Sequence, residues 1–231
     1  MQIFGLQKTT LLDYPGKLAS IIFTGGCNMN CPFCHNSELI TLPKEGRISE
    51  EEVLSHLQKR RSTLEGLVIT GGECTLQKDL KDFCKKVKDL GYLIKIDTNG
   101  TAPQVIKDLV ADGLIDYVAM DIKNSKEKYG ATCGLEKLDL NKIQETIDFL
   151  MAQNVDYEFR TTVIPKFHTK KDMEEIGVWL RGAKALYLQA FKTSDAVRDK
   201  SLTEPNKEDL LSYQSILSEH LDTVLIRGMD V

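Results

Sequence analysis

Residues 18–35, LASIIFTGGCNMNCPFCH, join an apolar segment to a cluster of three cysteines. The first seven of these residues are mostly apolar or β-branched, which predicts a buried strand. Cys27, Cys31 and Cys34 follow with C-x3-C-x2-C spacing. Thiolates are both metal ligands and nucleophiles, so the end of this strand is a candidate metal or redox site.

The order of a short apolar strand and then a helix repeats along the rest of the chain. We predict six such units, with strands at 18–24, 67–70, 92–96, 115–120, 157–164 and 186–191, and a candidate last strand at 224–226. Such alternation predicts an α/β fold with a parallel sheet. Six units fall short of the eight in a complete barrel, which leaves an open, partial barrel or a doubly wound sheet.

Helix boundaries carry local signals as well. Ser49 and Glu52 form a capping-box pattern, Pro103 suits a first helical turn, and Gly91 suits a helix end. Further helices are predicted over about 139–153 and from near Pro205.

Glycine or polar residues follow four of the predicted strands. They are residues 25–27, 71–73, 97–100 and 121–123, with sequences GGC, GGE, DTNG and DIK. Glycine and aspartate are common turn residues, so each group alone has a simple explanation. Because the carboxyl ends of parallel strands meet at one edge, four such groups together predict a single ligand site.

The composition sets further limits on function and location. The chain of 231 residues has 30 basic and 34 acidic side chains and a net charge of −4, which argues against a nucleic-acid-binding surface. No apolar run approaches a membrane span, and the N-terminal residues do not form a signal-peptide pattern. We therefore expect one domain, residues 1–231, in a cytoplasmic protein with neither nucleic acid nor a membrane as partner.

Three chemistries are open to the cysteine cluster. A dithiol redox pair could use Cys31 and Cys34, although it leaves Cys27 unexplained. A zinc site could add His35 to the three thiolates. An iron–sulfur cluster held by only three thiolates would leave one iron open to a small molecule, which implies catalysis.

The motifs together resemble the radical S-adenosylmethionine (SAM) superfamily. The resemblance rests on C-x3-C-x2-C with an aromatic residue before the third cysteine, and on G-G-E after the second predicted strand. Residues 5–36 resemble the glycyl-radical-enzyme activases, most closely those of anaerobic ribonucleoside-triphosphate reductase. The fold implied is a partial (β/α)6 TIM-type barrel, in agreement with the count of six units.

The resemblance implies two cofactors, one [4Fe–4S] cluster and S-adenosyl-L-methionine. Cys27, Cys31 and Cys34 would ligate three irons, the amino and carboxylate groups of SAM would bind the fourth, and Phe33 would lie beside the adenine. The remaining implied cofactor contacts are Gly71, Gly72 and Glu73 at the methionyl amino group, Asp97, Thr98 and Asn99 near the ribose and carboxylate, Asp121 and Lys123 of a D-x-K motif, and Arg160 and His168 near the fifth strand.

The implied reaction is reductive cleavage of SAM to a 5′-deoxyadenosyl radical, which generates a glycyl radical on a partner enzyme. That partner is expected to be anaerobic ribonucleotide reductase, with flavodoxin or ferredoxin as electron donor. Pyruvate formate-lyase or another glycyl-radical enzyme is the alternative partner. A non-catalytic zinc or dithiol redox module is the alternative from another functional class.

Two features depart from related activases. Cys74 stands where the motif usually continues with proline, and we interpret it as a simple substitution. No cysteine lies between Cys34 and Cys74, so a single cluster is expected. Cys84 lies on the apolar face of a predicted helix and is expected to be buried and inert.

Overall fold

In the computed structural model, which describes residues 1–229, the strands form one eight-stranded sheet whose spatial order follows the chain. The strands are β1 (Ile3–Thr10), β2 (Ala19–Thr24), β3 (Gly66–Gly71), β4 (Leu93–Thr98), β5 (Tyr117–Asp121), β6 (Asp156–Val163), β7 (Leu186–Ala190) and β8 (Val224–Arg227). Strands β2 to β8 are parallel and β1 is antiparallel to β2.

Helices connect the parallel strands. They are α1 (Glu50–Arg60), α2 (Leu80–Asp89), α3 (Pro103–Ala111), the single turn α4 (Tyr129–Thr132), α5 (Leu140–Met151), α6 (Lys170–Trp179) and α7 (Lys207–Leu217). Within residues 1–229, β1 and β8 are edge strands that do not pair with each other. The predicted partial barrel of six strand–helix units is therefore confirmed. No helix in the described part of the chain is long and apolar enough to cross a membrane.

The strand predicted at 18–24 is present as β2, but it is the second strand of the chain, because β1 was not predicted. Ile3 pairs with Thr24 and Thr10 pairs with Ala19, with irregular register between them. The segment escaped notice because its middle residues are exposed and show neither an apolar run nor clean alternation. Gly5 lets the ring of Phe23 pack directly against this strand, since a Cβ there would lie 3.0 Å from that ring.

The helix boundary signals match the structure, except that only the Ser49 half of the predicted capping box is formed at α1. The Ser49 hydroxyl caps α1 by accepting a hydrogen bond from the Glu52 backbone N–H at 3.1 Å. Pro103 is the first residue of α3. Gly91 follows α2 with φ of +84°, a left-handed conformation that glycine adopts without strain.

Alternate residues of the strands face two different environments. In β4, Ile94 and Ile96 are fully buried in the apolar core that also contains Phe83 and Val87 of α2. Lys95 lies between the two isoleucines and is equally buried, at 1% exposure. Because side chains of a strand alternate between its faces, Lys95 points to the interior of the barrel.

Candidate active site

A cavity of about 240 Å³ opens at the carboxyl ends of the parallel strands. Thirteen of the fourteen predicted site residues line it: Cys27, Cys31, Phe33, Cys34, Gly71, Gly72, Glu73, Asp97, Thr98, Asn99, Asp121, Lys123 and Arg160. They come from β2 through β6 and the turns that follow these strands. The structure thus brings the four polar groups of the sequence together in one site, as parallel strands require.

The three thiols of the cavity come from one loop, residues 27–34. Cys31 is buried, and Cys27 and Cys34 are half-buried. Burial raises the pKa of Cys27 to about 11 and also raises the pKa of Cys34. The pKa of Cys31 is lowered, first by a hydrogen bond with the Cys133 thiol and then by the positive charge of Lys123.

Two other parts of the chain hold this cysteine loop. The Asn28 side-chain amide donates to Thr101 Oγ1 at 2.8 Å, and Asn99 donates to Asn28 Oδ1 at 2.8 Å. On the opposite side, the Arg198 guanidinium donates to the backbone oxygens of Asn30 at 3.0 Å and Cys31 at 3.3 Å. The loop is therefore positioned by hydrogen bonds from both the β4 turn and the segment after β7.

Gly71 and Gly72 allow the β3 turn to pack directly on the β2 turn. Gly71 has φ of +114°, and a Cβ there would clash with the Thr24 backbone. A Cβ at Gly72 would clash with the backbone of Gly26. In this close contact Gly72 N donates to Thr24 O at 2.7 Å, and Glu73 N donates to Gly26 O at 2.8 Å.

Glu73 is almost completely buried, at 1% exposure, and its carboxylate joins two turns. It accepts hydrogen bonds from Thr75 N at 3.1 Å, Thr75 Oγ1 at 2.6 Å, Thr98 Oγ1 at 2.8 Å and Asn99 N at 2.7 Å. Burial raises its pKa in spite of these donors. The observed role of Glu73 is to fix the β3 turn to the β4 turn, and its pairing with an ammonium group stays a prediction.

Five charged residues form an alternating row inside the barrel. Lys95 pairs with Asp97, whose other oxygen lies 3.1 Å from Arg160 Nη1. Arg160 Nε then lies 3.0 Å from Asp121 Oδ1, and Lys123 Nζ lies 2.8 Å from Asp121 Oδ2. Each carboxylate is thus bracketed by two cations, and Lys123 ends the row at the cavity.

The charge row shifts the titration of its carboxylates. Burial alone would raise the pKa of Asp121, but the charges of Lys123 and Arg160 outweigh it and lower this pKa to about 2. The pKa of Asp97 is lowered in the same way by Arg160 and Lys95. Both carboxylates are therefore ionised at neutral pH. With three cations and two carboxylates the row has a net positive charge, and its cavity end, Lys123, can face an anionic group of a ligand.

Phe33 and His168 occupy different positions relative to the cavity. The Phe33 ring lines it, with Lys123 Nζ 5.9 Å from the ring centroid. His168 is the predicted site residue that does not line the cavity. Its Nε2 lies 2.9 Å from the backbone oxygen of Lys123, and its Nδ1 accepts from the Ile164 backbone N–H at 3.1 Å. His168 therefore fixes the turn that carries Lys123.

The cysteines outside the motif are all buried. Cys74 donates to the Asp97 backbone oxygen at 3.3 Å and does not line the cavity, which accords with a simple substitution. Cys84 is buried as expected, and burial raises its pKa to about 12. Cys133 was not predicted near the site, but it directly follows the short helix α4 and its thiol forms a hydrogen bond with Cys31.

Several other residues of the site also escaped the sequence analysis. Lys95 lies in the middle of β4, and Gln189 lies inside the strand predicted at 186–191, whereas the predicted site residues came mainly from the segments that follow strands. A usable signal existed for Lys95, because Lys95 and Asp97 are two residues apart in an otherwise apolar strand and so share a face. Cys133 had no such signal, since only the folded chain brings residue 133 to the cysteine loop.

The residues present fit the predicted cluster. Within residues 1–229, no three His, Cys, Asp or Glu side chains converge as ligands of a single ion. The three thiols instead face one cavity from separate positions of one loop, which suits thiolates that each bind a different iron. The cationic end of the charge row lies in the same cavity and can meet a carboxylate.

Comparisons with known proteins identify the family. Residues 21–180 match the family model of the radical SAM superfamily. A protein of Methanocaldococcus jannaschii, provisionally named a glycyl-radical enzyme activating enzyme, is 36% identical over 99% of this chain and 96% of its own length. The pyruvate formate-lyase-activating enzyme of Clostridium pasteurianum is 26% identical over 74% of this chain and 72% of its own length.

The fold also matches solved structures. Native anSMEcpe with bound AdoMet has a TM-score of 0.60 and 17% identity, over 84% of this chain and 57% of that chain. Members of the matched superfamily use a [4Fe–4S] cluster and SAM, the two cofactors that the cysteine motif predicts. The chain therefore belongs to the radical SAM superfamily and, within it, to the enzymes related to glycyl-radical enzyme activases.

Proposed function

We propose that this chain generates a glycyl radical on anaerobic ribonucleoside-triphosphate reductase. The observation that carries the proposal is the cavity in which three thiols of one loop face the cationic end of the charge row inside the barrel. The partner is inferred from the similarity of residues 5–36 to activases of that reductase, with GLQKTTLLDYPGK preceding the cysteine strand. Pyruvate formate-lyase is the second candidate partner, because its activating enzyme is a relative.

We assign the site residues the following roles, which their positions support. Cys27, Cys31 and Cys34 hold the cluster, and Lys123 meets the carboxylate of SAM. When bound, the reduced cluster and SAM would supply the radical chemistry that removal of a hydrogen atom from the target glycine requires. Asp121 keeps Lys123 protonated and directed into the cavity, since the two side chains form an ion pair at 2.8 Å.

The other wall residues orient the cofactor. Phe33 is 4% exposed and offers an apolar surface for the adenine. Glu73 holds the turn of Gly71 and Gly72 in place, so that backbone groups can approach the methionyl end of SAM. We include His168 among the positioning residues, because it acts on the Lys123 turn from outside the cavity.

The test is radical formation on a whole partner enzyme. The protein is reconstituted anaerobically with iron and sulfide, reduced, and mixed with SAM and either anaerobic ribonucleotide reductase or pyruvate formate-lyase. Electron paramagnetic resonance then detects the glycyl radical, and 5′-deoxyadenosine is assayed in parallel. A glycyl signal on the reductase and none on the lyase is expected, and the reverse result would contradict the proposed partner.

The same experiment tests the remaining alternatives. A protein that binds zinc tightly, or that cycles Cys31 and Cys34 as a dithiol, and that forms no 5′-deoxyadenosine would refute the enzymatic proposal altogether. We propose flavodoxin or ferredoxin of the cytoplasm as the electron donor. Replacing the chemical reductant with each purified donor should sustain the same radical yield.

A further inference from the structure

The wall of the cavity formed by β6 and β7 carries two polar side chains without an assigned role. Thr162 of β6 and Gln189 of β7 are register partners on neighbouring parallel strands, and both line the cavity. Arg160, two residues before Thr162, faces the same interior and belongs to the charge row. Thr162 and Gln189 thus extend the polar wall beyond the part that the proposed function gives to SAM.

Neither side chain has a hydrogen-bond partner among residues 1–229. Arg160 in contrast makes two ion pairs, with Asp97 at 3.1 Å and with Asp121 at 3.0 Å. In the same part of the chain, every completely buried side-chain nitrogen or oxygen has a partner. The amide of Gln189 and the hydroxyl of Thr162 are therefore accessible to a molecule in the cavity.

These two groups match the chemistry of a glycyl residue in a protein. Glycine has no side chain, so a site can recognise it only through the N–H and C=O groups of its backbone. A glutamine amide carries an acceptor and a donor in one plane, and it can accept from the peptide N–H while it donates to a peptide carbonyl. A threonine hydroxyl beside it can satisfy one further backbone group.

We propose that Gln189 and Thr162 form a subsite that binds the peptide backbone of the partner enzyme at its target glycine. The inference rests on the proposed function and adds a specificity element to the same cavity. Gln189 Oε1 accepts from a peptide N–H, Gln189 Nε2 donates to a peptide oxygen, and Thr162 supports the same segment. The polypeptide lies against β6 and β7, opposite the wall formed by β3 to β5.

The decisive measurement is the KM for the whole partner enzyme in glycyl-radical formation. Gln189→Leu keeps a side chain of similar size and removes both amide groups, so the KM should rise about 10-fold. Thr162→Val preserves the shape and removes the hydroxyl, and should raise the KM about three- to five-fold. Gln58→Leu, on the exposed face of α1, is the matched control and should leave the KM unchanged.

A second measurement addresses the predicted hydrogen bond directly. Short peptides of the partner's radical loop are made with either glycine or N-methylglycine at the target position, and their affinities are measured anaerobically. The wild-type protein should prefer the glycine peptide, and Gln189→Leu should bind both peptides alike, because the group that accepts from the N–H is gone. Equal discrimination by both proteins would overturn the inference.

Failure of the inference and failure of the proposed function have different signatures. An unchanged KM for the partner in both Gln189→Leu and Thr162→Val would overturn the subsite while the wild type still forms the glycyl radical. A rise in the KM for SAM equal to that for the partner would make Gln189 a cofactor contact and would also overturn it. A wild type that forms no glycyl radical on either candidate partner would remove the proposed function, and the subsite with it.

Discussion

The two faces of β4 are buried to the same extent and have opposite chemistry. Ile94 and Ile96 pack under α2 at 0% exposure, whereas Lys95 is 1% exposed inside the barrel and pairs with Asp97. Burial of apolar surface is a large source of stability, but buried ion pairs are often neutral in net stability. The helix-facing side of the sheet therefore stabilises the fold, and the interior side positions the site.

Strand β6 repeats the same division. Phe159 belongs to the apolar layer, whereas Glu158 and Arg160 point to the interior. Glu158 is fully paired by Arg227 of β8 at 2.9 and 3.0 Å. Ionic pairing of this kind keeps charged side chains in fixed positions in a place where unpaired charges would be strongly destabilising. Substitutions on the two faces should therefore have effects of different kinds.

The largest expected difference separates two cysteines, one from each region. Cys27→Ala removes a proposed cluster ligand of the cavity, and we expect complete loss of SAM cleavage and of the cluster signal in electron paramagnetic resonance. Cys84→Ala, in the apolar layer, removes an inert thiol and should retain both. Iron content and 5′-deoxyadenosine formation are the measurements. Equal losses in the two variants would contradict the division of the cysteines.

A core truncation on the helix-facing side should act on stability alone. Ile96→Ala leaves a cavity under α2 and should lower the free energy of unfolding by about 2–5 kcal/mol. Urea unfolding measures this change, and Leu12→Ala is the control, because Leu12 is 86% exposed and its loss should cost less than about 0.5 kcal/mol. If Ile96→Ala were as mild as Leu12→Ala, the apolar layer would not be the source of stability.

The interior charges should make the free energy of unfolding depend on pH. The pKa of Asp121 is about 2 in the folded protein, below its ordinary value of 3.8, so its stabilising effect is complete above about pH 4 and is lost as the pH falls towards 2. The wild type should therefore lose about 1–2 kcal/mol more than Asp121→Asn over that range, since the carboxylate is partly solvent-exposed. Urea unfolding of both proteins at several pH values measures this difference. If their free energies of unfolding changed with pH in the same way, the stabilising effect assigned to the Asp121 carboxylate would be refuted.

The smallest expected effect concerns the support of the cysteine loop. Asn28→Ala removes the hydrogen bonds to Thr101 and Asn99, which are worth about 1 kcal/mol at an exposed position. The cluster should lose iron to a chelator several-fold faster in this variant. Asn141→Ala, on the exposed start of α5, is the control. An unchanged rate in Asn28→Ala would show that the Arg198 side alone holds the loop.

Local features of this chain could be predicted from its sequence, and features that depend on distant pairing could not. The parallel strands and the cap at Ser49 follow from apolar runs and capping residues that lie close together in sequence. Strand β1 depends on Phe23 and Thr24 of its neighbour and has no clear pattern of its own. The count of six strand–helix units left a partial barrel and a doubly wound sheet open, and the resemblance to the radical SAM superfamily favoured the partial barrel.

The same distinction explains the result at the site. The carboxyl ends of strands can be recognised in a sequence. The residues at or just after the ends of β2 to β5 were therefore predicted, and they line one cavity. Gln189 was missed because only the folded sheet pairs it with Thr162, which lies more than twenty residues earlier, at the wall of the cavity. Cys133 reaches Cys31 only because α4 packs against the cysteine loop. The roles of the site residues stay predictions until they are measured.

The contact between the β2 and β3 turns limits how the two motifs can change in evolution. Gly71 and Gly72 lie against the backbone of Thr24 and Gly26, so any side chain at either glycine would push the two turns apart. Such a change would displace Cys27 on one turn and Glu73 on the other in a single mutational step. The cysteine motif and the G-G-E motif are therefore expected to change together in evolution or not at all, although 36 residues lie between Cys34 and Gly71.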